Sequence, residues 1–150
     1  MKTAAELVQE FTQSFRQGGV DKAMELFAED ATFQLPYLAS VGIQSSYHGH
    51  EEIRGFLDLV LELYPDWAFD PADTKILIDT PDQAFAEYIS RPTAAATGRK
   101  IEHLFMGRLV AENGKIKLLR EALNTVAAAQ ALMPGGPADI PMPEGVIRSF

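Results

Sequence analysis

An Asn-Gly pair, Asn113-Gly114, separates two runs long enough to be paired strands, residues 101–111 and 115–124. Both central residues of a type I′ turn need positive φ, which asparagine and glycine tolerate best, so this pair is the strongest short-range hairpin signal a chain can carry. The second arm runs into Arg120-Glu121, which brings an acid into otherwise apolar surroundings at the far end of the hairpin. A carboxyl group in such a place is either a costly structural oddity or a working acid–base group. Strand parity bears on the choice. With a plain two-residue loop, Met106 lies opposite Glu121 and His103 lies opposite Asn124; directly opposed side chains share a face, so His103 and Glu121 point to opposite faces. One β-bulge in either arm reverses this.

The rest of the chain supplies a core for such a hairpin. At 150 residues with 47% hydrophobic content, it suits one globular domain. A net charge of −8 and a pI near 4.8 argue against a nucleic-acid partner, because phosphate neutralisation needs clustered Lys and Arg. No polybasic stretch offers a hold on an anionic membrane surface, and no apolar run has the length of a bilayer span. The N-terminal residues lack the apolar segment of a signal peptide and carry an early acid, Glu6. With no cysteine, thiolate nucleophiles, disulfides and zinc–thiolate sites are excluded. The expectation is a soluble, cytoplasmic protein.

Thr3-Ala4-Ala5-Glu6 reads as a capping box, and Leu7, Val8, Phe11 and Phe15 follow at helical spacing up to Gly18-Gly19. A short second helix holds Val20, Ala23, Met24 and Phe27. A strand from Asp30 to Leu35 follows, then a loop over residues 37–49 and a third helix over 51–64 with a broad apolar stripe that Pro65 stops. From Trp67 the period changes: strands are expected at 67–69 with 76–78, at 84–91, and in the 101–124 hairpin. Helices segregated from a run of antiparallel strands indicate an α+β fold. The domain is expected to occupy residues 1–131, with 132–150 an extended Pro/Gly-rich tail.

This order resembles the nuclear transport factor 2-like superfamily, which includes ketosteroid isomerases, SnoaL-type polyketide cyclases and limonene epoxide hydrolase. The stretches Leu26-Phe27-Ala28-Glu29-Asp30-Ala31 and Gly49-His50-Glu51-Glu52-Ile53 carry the likeness at the first strand and the third helix. Tyr64-Pro65-Asp66-Trp67, the hairpin from Glu112 through Arg120-Glu121 and Asn124, and the tail from Ala131 to Pro143 are similar to the phenazine biosynthesis A/B branch. The resemblance implies a cone: a curved antiparallel sheet packed on three N-terminal helices, the cystatin-like α+β barrel. It also implies an acid–base role for Glu121, a pocket for an apolar cyclic ligand, and pairing of two subunits through the outer face of the sheet. At the positions where that branch carries His, Ser and Tyr, this chain has Phe56, Val60 and Ile101. The implied pocket is more apolar and suits a different substrate.

The resemblance makes Glu121 the expected proton-moving group, its pKa raised by an apolar surround, against a partly exposed carboxylate paired with Arg120 or Arg108. His103 is a second catalytic candidate, against the commoner role of a hydrogen-bonded structural histidine. Tyr37, Trp67, Phe69, Tyr88 and Phe105 are expected with Phe56, Val60, Ile101 and Asn124 around the ligand, an aromatic wall that favours a flat or cyclic apolar molecule. Tyr88 and Tyr37 are also candidate donors to a developing oxyanion. Arg91 and Arg99 read as solvated or as partners for a ligand carboxylate. His48 and His50 read as helix-start residues. No metal pattern and no cofactor motif occurs. The expected chemistry is isomerisation, cyclisation or condensation by proton transfer; the alternative is a non-catalytic ligand-binding or dimeric docking module of the same fold.

Overall fold

The computed structural model describes residues 1–147. The capping box forms as read: the Thr3 side chain accepts from the Glu6 amide at 3.3 Å, and the Glu6 carboxylate accepts from the Thr3 amide at 2.7 Å. It starts α1 (Ala4–Gln17), whose apolar side buries Leu7, Val8 and Phe11. Two glycines turn the chain into α2 (Gly19–Met24). β1 (Phe27–Gln34) follows, and the segment expected to be pure loop holds a 3₁₀ turn (Pro36–Val41) and the short β2 (Ser46–His48). α3 (Gly49–Leu63) faces the sheet with Ile53, Phe56 and Leu57, and Tyr64 ends it.

β3 (Lys75–Asp79), β4 (Gln83–Ser90), β5 (His103–Glu112) and β6 (Lys115–Leu123) complete one six-stranded sheet in the order β2-β1-β6-β5-β4-β3. Every neighbouring pair is antiparallel except β1 with β6, which is parallel. The expected strand at 67–69 reduces to a single bridge between Phe69 and Ser90; Pro65 and Pro71 bracket the segment and leave it no room to pair further. α4 (Thr125–Leu132), for which no helix was expected, follows β6 directly, with the Asn124 side chain accepting from the Ala127 amide at its N-terminus.

The sheet bends where its registers slip, between Phe27 and Thr32 against β6, between Ile76 and Ile78 against β4, and between Val110 and Ala111 in the hairpin. Bulges of this kind sharpen local twist and curl a sheet. The concave face wraps α1 and α3. Edge-to-face rings, Phe11 against Phe15, Phe27 and Phe33, and Phe33 against Phe56, close one end of the curl. Among the described residues no helix is long and apolar enough to cross a membrane.

Candidate functional site

The hairpin turn is the expected one, with Asn113 at φ 51° and Gly114 at φ 73°. Its register differs from a plain two-residue loop. Ala111 opposes Ile116 while Val110 opposes Leu118, so Lys117 is an extra residue. This bulge settles the parity: Glu121 lies opposite Gly107 instead of Met106, and His103, four residues before Gly107 on β5, shares its face. Both side chains turn inward. Glu121 is 3% exposed and His103 2%.

They line one cavity of about 80 Å³ between the sheet, α1, α3 and α4. Its wall is overwhelmingly apolar. Phe56, Leu57 and Val60 come from α3, Phe11 and Phe15 from α1, Phe33 from β1, Trp67 and Phe69 from the segment after α3, Phe105 and Leu123 from the hairpin, and Ala128 and Leu132 from α4. Polar groups enter it in two places, at Glu121 and at the neighbouring pair Tyr64 and His103.

At Glu121, the phenolic hydroxyl of Tyr88 donates to Oε1. Tyr88 is 1% exposed and stands on β4, two strands away from β6. Burial pushes the Glu121 carboxyl up to about 7, and the Tyr88 bond works in the opposite direction. Burial and the adjacent carboxylate push the Tyr88 phenol well above its ordinary value, so it stays a donor. Near neutral pH Glu121 therefore populates both its acid and its base form, the condition under which one group can take a proton and give it back.

At the other place, the Tyr64 hydroxyl lies 3.4 Å from Nε2 of His103. Burial lowers the His103 pKa to about 4 and raises that of Tyr64 to about 12. Both are neutral at physiological pH. His103 is thus a hydrogen-bonding group there and not an imidazolium acid. Its Nδ1 is buried and has no hydrogen-bond partner among the described residues.

Of the residues expected at the site, Glu121, His103, Phe56, Val60, Trp67, Phe69 and Phe105 come together around the cavity. Tyr88 sits behind the wall, joined to Glu121. The other three lie elsewhere. Tyr37 is 38% exposed and borders a groove with Phe85, Met106, Arg108 and Arg120. Ile101 packs in a satellite cluster with Tyr64 and Ala94. The Asn124 side chain caps α4. Arg91 is held by Asp73 at 2.6 Å and Glu102 at 2.9 Å, and Arg99 donates to the carbonyl oxygens of Gln130, Met133 and Pro134 at 2.8–3.0 Å. His48 contacts the hydroxyls of Thr32 and Ser46 at 3.2 Å, and His50 contacts the Phe27 carbonyl at 3.0 Å. Two contributors escaped the sequence reading. In the sequence Tyr64 ends a helical stripe and belongs to the Tyr64-Pro65-Asp66-Trp67 likeness, with nothing to mark it as a site residue. Gly107 is a glycine inside a strand, itself a mark of close approach by another group.

A curled sheet closed by helices around an apolar cavity that holds one buried carboxyl group defines a cone fold. The chain belongs to the SnoaL-like domain family, whose profile matches residues 8–119. No curated protein matches the sequence. Among solved structures, a candidate isomerase from Bacillus subtilis is 18% identical with a TM-score of 0.75, over 85% of this chain and 91% of that one. A protein from Catenulispora acidiphila with a ketosteroid isomerase-like fold, in complex with trimethylamine, is 16% identical with a TM-score of 0.73, over 91% and 98% of the two chains. A phenazine biosynthesis-related protein from Pseudomonas aeruginosa is 22% identical with a TM-score of 0.65, over 98% and 96%. At these identities the likeness is one of fold.

Proposed function

We propose that this protein moves a proton on a small apolar cyclic carbonyl compound, with Glu121 as the acid–base group. The observation that carries the reading is the position of Glu121: a nearly inaccessible carboxyl group facing an apolar cavity, its acid and base forms balanced near neutrality. The carboxylate removes a proton from a carbon next to the carbonyl, and the electron pair moves onto the carbonyl oxygen as an enolate. His103, neutral and short of one hydrogen-bond partner, meets that oxygen. Glu121 then returns the proton to another carbon, which isomerises the substrate, or the enolate carbon attacks a second carbonyl to close a ring and the alkoxide formed there takes the proton back from Glu121. Apolar walls keep water from the enolate and strengthen each polar contact within.

The likeness to a candidate isomerase agrees with this chemistry and does not name a substrate. Pairing of two chains through the outer face of the sheet belongs to the same proposal. Leu104 and Met106 on that face are 40% and 42% exposed.

The test needs no natural substrate. In deuterated buffer, NMR follows exchange of the acidic carbon-bound protons across a panel of cyclic ketones. The wild type should accelerate exchange for at least one member, and Glu121→Gln should slow it by about 10²–10⁴-fold, the range for loss of a general base. A second reading, ligand binding without turnover, is favoured by the almost wholly apolar wall. It prevails if a ketone binds and both proteins leave its protons unexchanged.

A further inference from the structure

The hydrogen bond between Tyr88 and Glu121 spans an entire strand. Tyr88 is on β4 and Glu121 on β6, with β5 between them. Two strand spacings are about 10 Å, so the tyrosine ring must lie across β5 to make the bond. The β5 residue opposite Glu121 is Gly107. A Cβ built on Gly107 would overlap the Tyr88 hydroxyl and stand 3.1 Å from its Cζ and 3.3 Å from its Cε1. Gly107 is not among the glycines with positive φ, so its backbone makes no demand for glycine. The passage of the tyrosine does.

We propose that Gly107 is a positioning residue for Glu121: by lacking a side chain it opens the lane through which Tyr88 reaches Oε1, and so commits one carboxyl oxygen to the protein and the other to the ligand. Among the described residues no donor reaches Oε2. Because the Tyr88 hydrogen already occupies Oε1, a protonated Glu121 carries its own proton on Oε2. The same oxygen then gives and takes the proton, and the carboxyl group does not have to rotate between steps. The other titratable groups at the cavity are His103 and Tyr64, both neutral near pH 7, so the Tyr88 bond is the polar contact that sets Glu121 against its surroundings. The role rests on the reading of Glu121 as the proton-moving group, but its test does not depend on turnover.

The experiment compares Gly107→Ala, Tyr88→Phe and the double variant, and follows the Glu121 carboxyl by NMR of protein labelled with ¹³C at glutamate side-chain carbons. Tyr88→Phe should move the Glu121 midpoint upward from about 7, since the lost bond lowered it. Gly107→Ala should move it the same way by a comparable amount, and the double variant should match Tyr88→Phe alone. A Gly107→Ala midpoint equal to that of the wild type overturns the proposal, and so do additive shifts in the double variant. Folding is itself informative. If Gly107→Ala unfolds and the double variant folds, the hydroxyl is the obstacle and the proposal stands; if both unfold, Gly107 serves other packing and the proposal falls. A wild type that exchanges no carbon-bound proton, with these titration shifts intact, refutes catalysis and leaves the positioning role in place.

Discussion

The Tyr64 hydroxyl lies 3.4 Å from Nε2 of His103, and among the described residues no group hydrogen-bonds to Nδ1 of the same ring. A neutral imidazole has one donor and one acceptor nitrogen. If Tyr64 donates to Nε2, Nδ1 carries the hydrogen and only that N–H is left without a partner. The opposite tautomer leaves both the phenol hydrogen and Nδ1 unsatisfied. The first arrangement costs less and makes Nδ1 a donor suited to a carbonyl oxygen. A buried unsatisfied group costs about 1–3 kcal/mol. His103→Phe exchanges the unpaired Nδ1 hydrogen for an unpaired Tyr64 hydroxyl, so it should leave stability at pH 7 within about 1 kcal/mol of the wild type while weakening the binding of cyclic ketones. Urea denaturation and ligand titration check the two halves. A clear loss of stability would mean that His103 serves the core and not the ligand.

The pH dependence of stability separates the two polar places. Burial raises Glu121 from 4.5 to about 7 and lowers His103 from 6.5 to about 4. For Glu121 the folded pKa is the higher, so its contribution is complete below about 4.5 and lost as pH rises through about 7. For His103 the folded pKa is the lower, so its contribution is complete above about 6.5 and lost as pH falls through about 4. Between pH 4.5 and 6.5 the slopes oppose each other. Glu121→Gln removes one of them, and the variant should gain stability from pH 4 to 6.5, on the order of 2–3 kcal/mol. His103→Phe should show the reverse trend, falling from pH 4.5 to 7. Denaturation midpoints across this range decide the matter, and identical profiles for wild type and Glu121→Gln would refute a raised carboxyl pKa.

These two residues also show what a sequence does and does not carry. The hairpin was legible because its turn demands two residues with positive φ, and Asn113-Gly114 supplies them. The face that His103 shares was open, because Lys117, the bulged residue, has no local signature; its extra place comes from the curl of the whole sheet. β2 is only three residues long, too short for periodicity to show. α4 was hidden for another reason. Its run Val126-Ala127-Ala128-Ala129 favours a helix but has no polar–apolar alternation, and Asn124 before it read as a strand end instead of a cap. Gly107 was legible in principle, since a glycine in mid-strand asks what crosses it. Only the strand order shows that the answer is Tyr88.

α4 forms one part of the cavity wall, through Ala128 and Leu132. The free space of about 80 Å³ is well below the ~150 Å³ that holds a benzene ring in a dry core cavity, so a ring ligand enters only when part of the wall moves. A shift of α4, which brings Ala128 and Leu132 to the wall, would supply that room. The helix is tied down at its C-terminal end by Arg99, through the carbonyls of Gln130, Met133 and Pro134, and by the Thr97 hydroxyl on the Ala131 carbonyl. Arg99→Ala should release this end. Amide hydrogen exchange in residues 128–133 should quicken by roughly 5–30-fold, the equivalent of about 1–2 kcal/mol of local stability, and apolar ligands should associate faster. Unchanged exchange there would show that packing alone holds α4.

The outer face of the sheet carries the prediction for assembly. In register, Ile78 opposes Phe85, Phe85 opposes Arg108, and Arg108 opposes Arg120; in the next row of the same outer face, Glu87 opposes Met106 and Met106 opposes Ala122. Two arginines directly across from each other repel. Arg108 is steadied by the Gln83 side-chain oxygen at 2.7 Å and Arg120 by that of Gln34 at 3.2 Å, and among the described residues neither forms an ion pair. A second copy related by a two-fold axis would cover the apolar residues and bring its own Glu87 towards this pair, since such an interface presents the same patch from both sides. Light scattering at micromolar concentration should give the mass of two chains. Met106→Glu places an acid at the centre of the face and should reduce the mass to that of one chain with the far-ultraviolet circular dichroism unchanged. A wild type that stays monomeric at those concentrations would rule the pairing out.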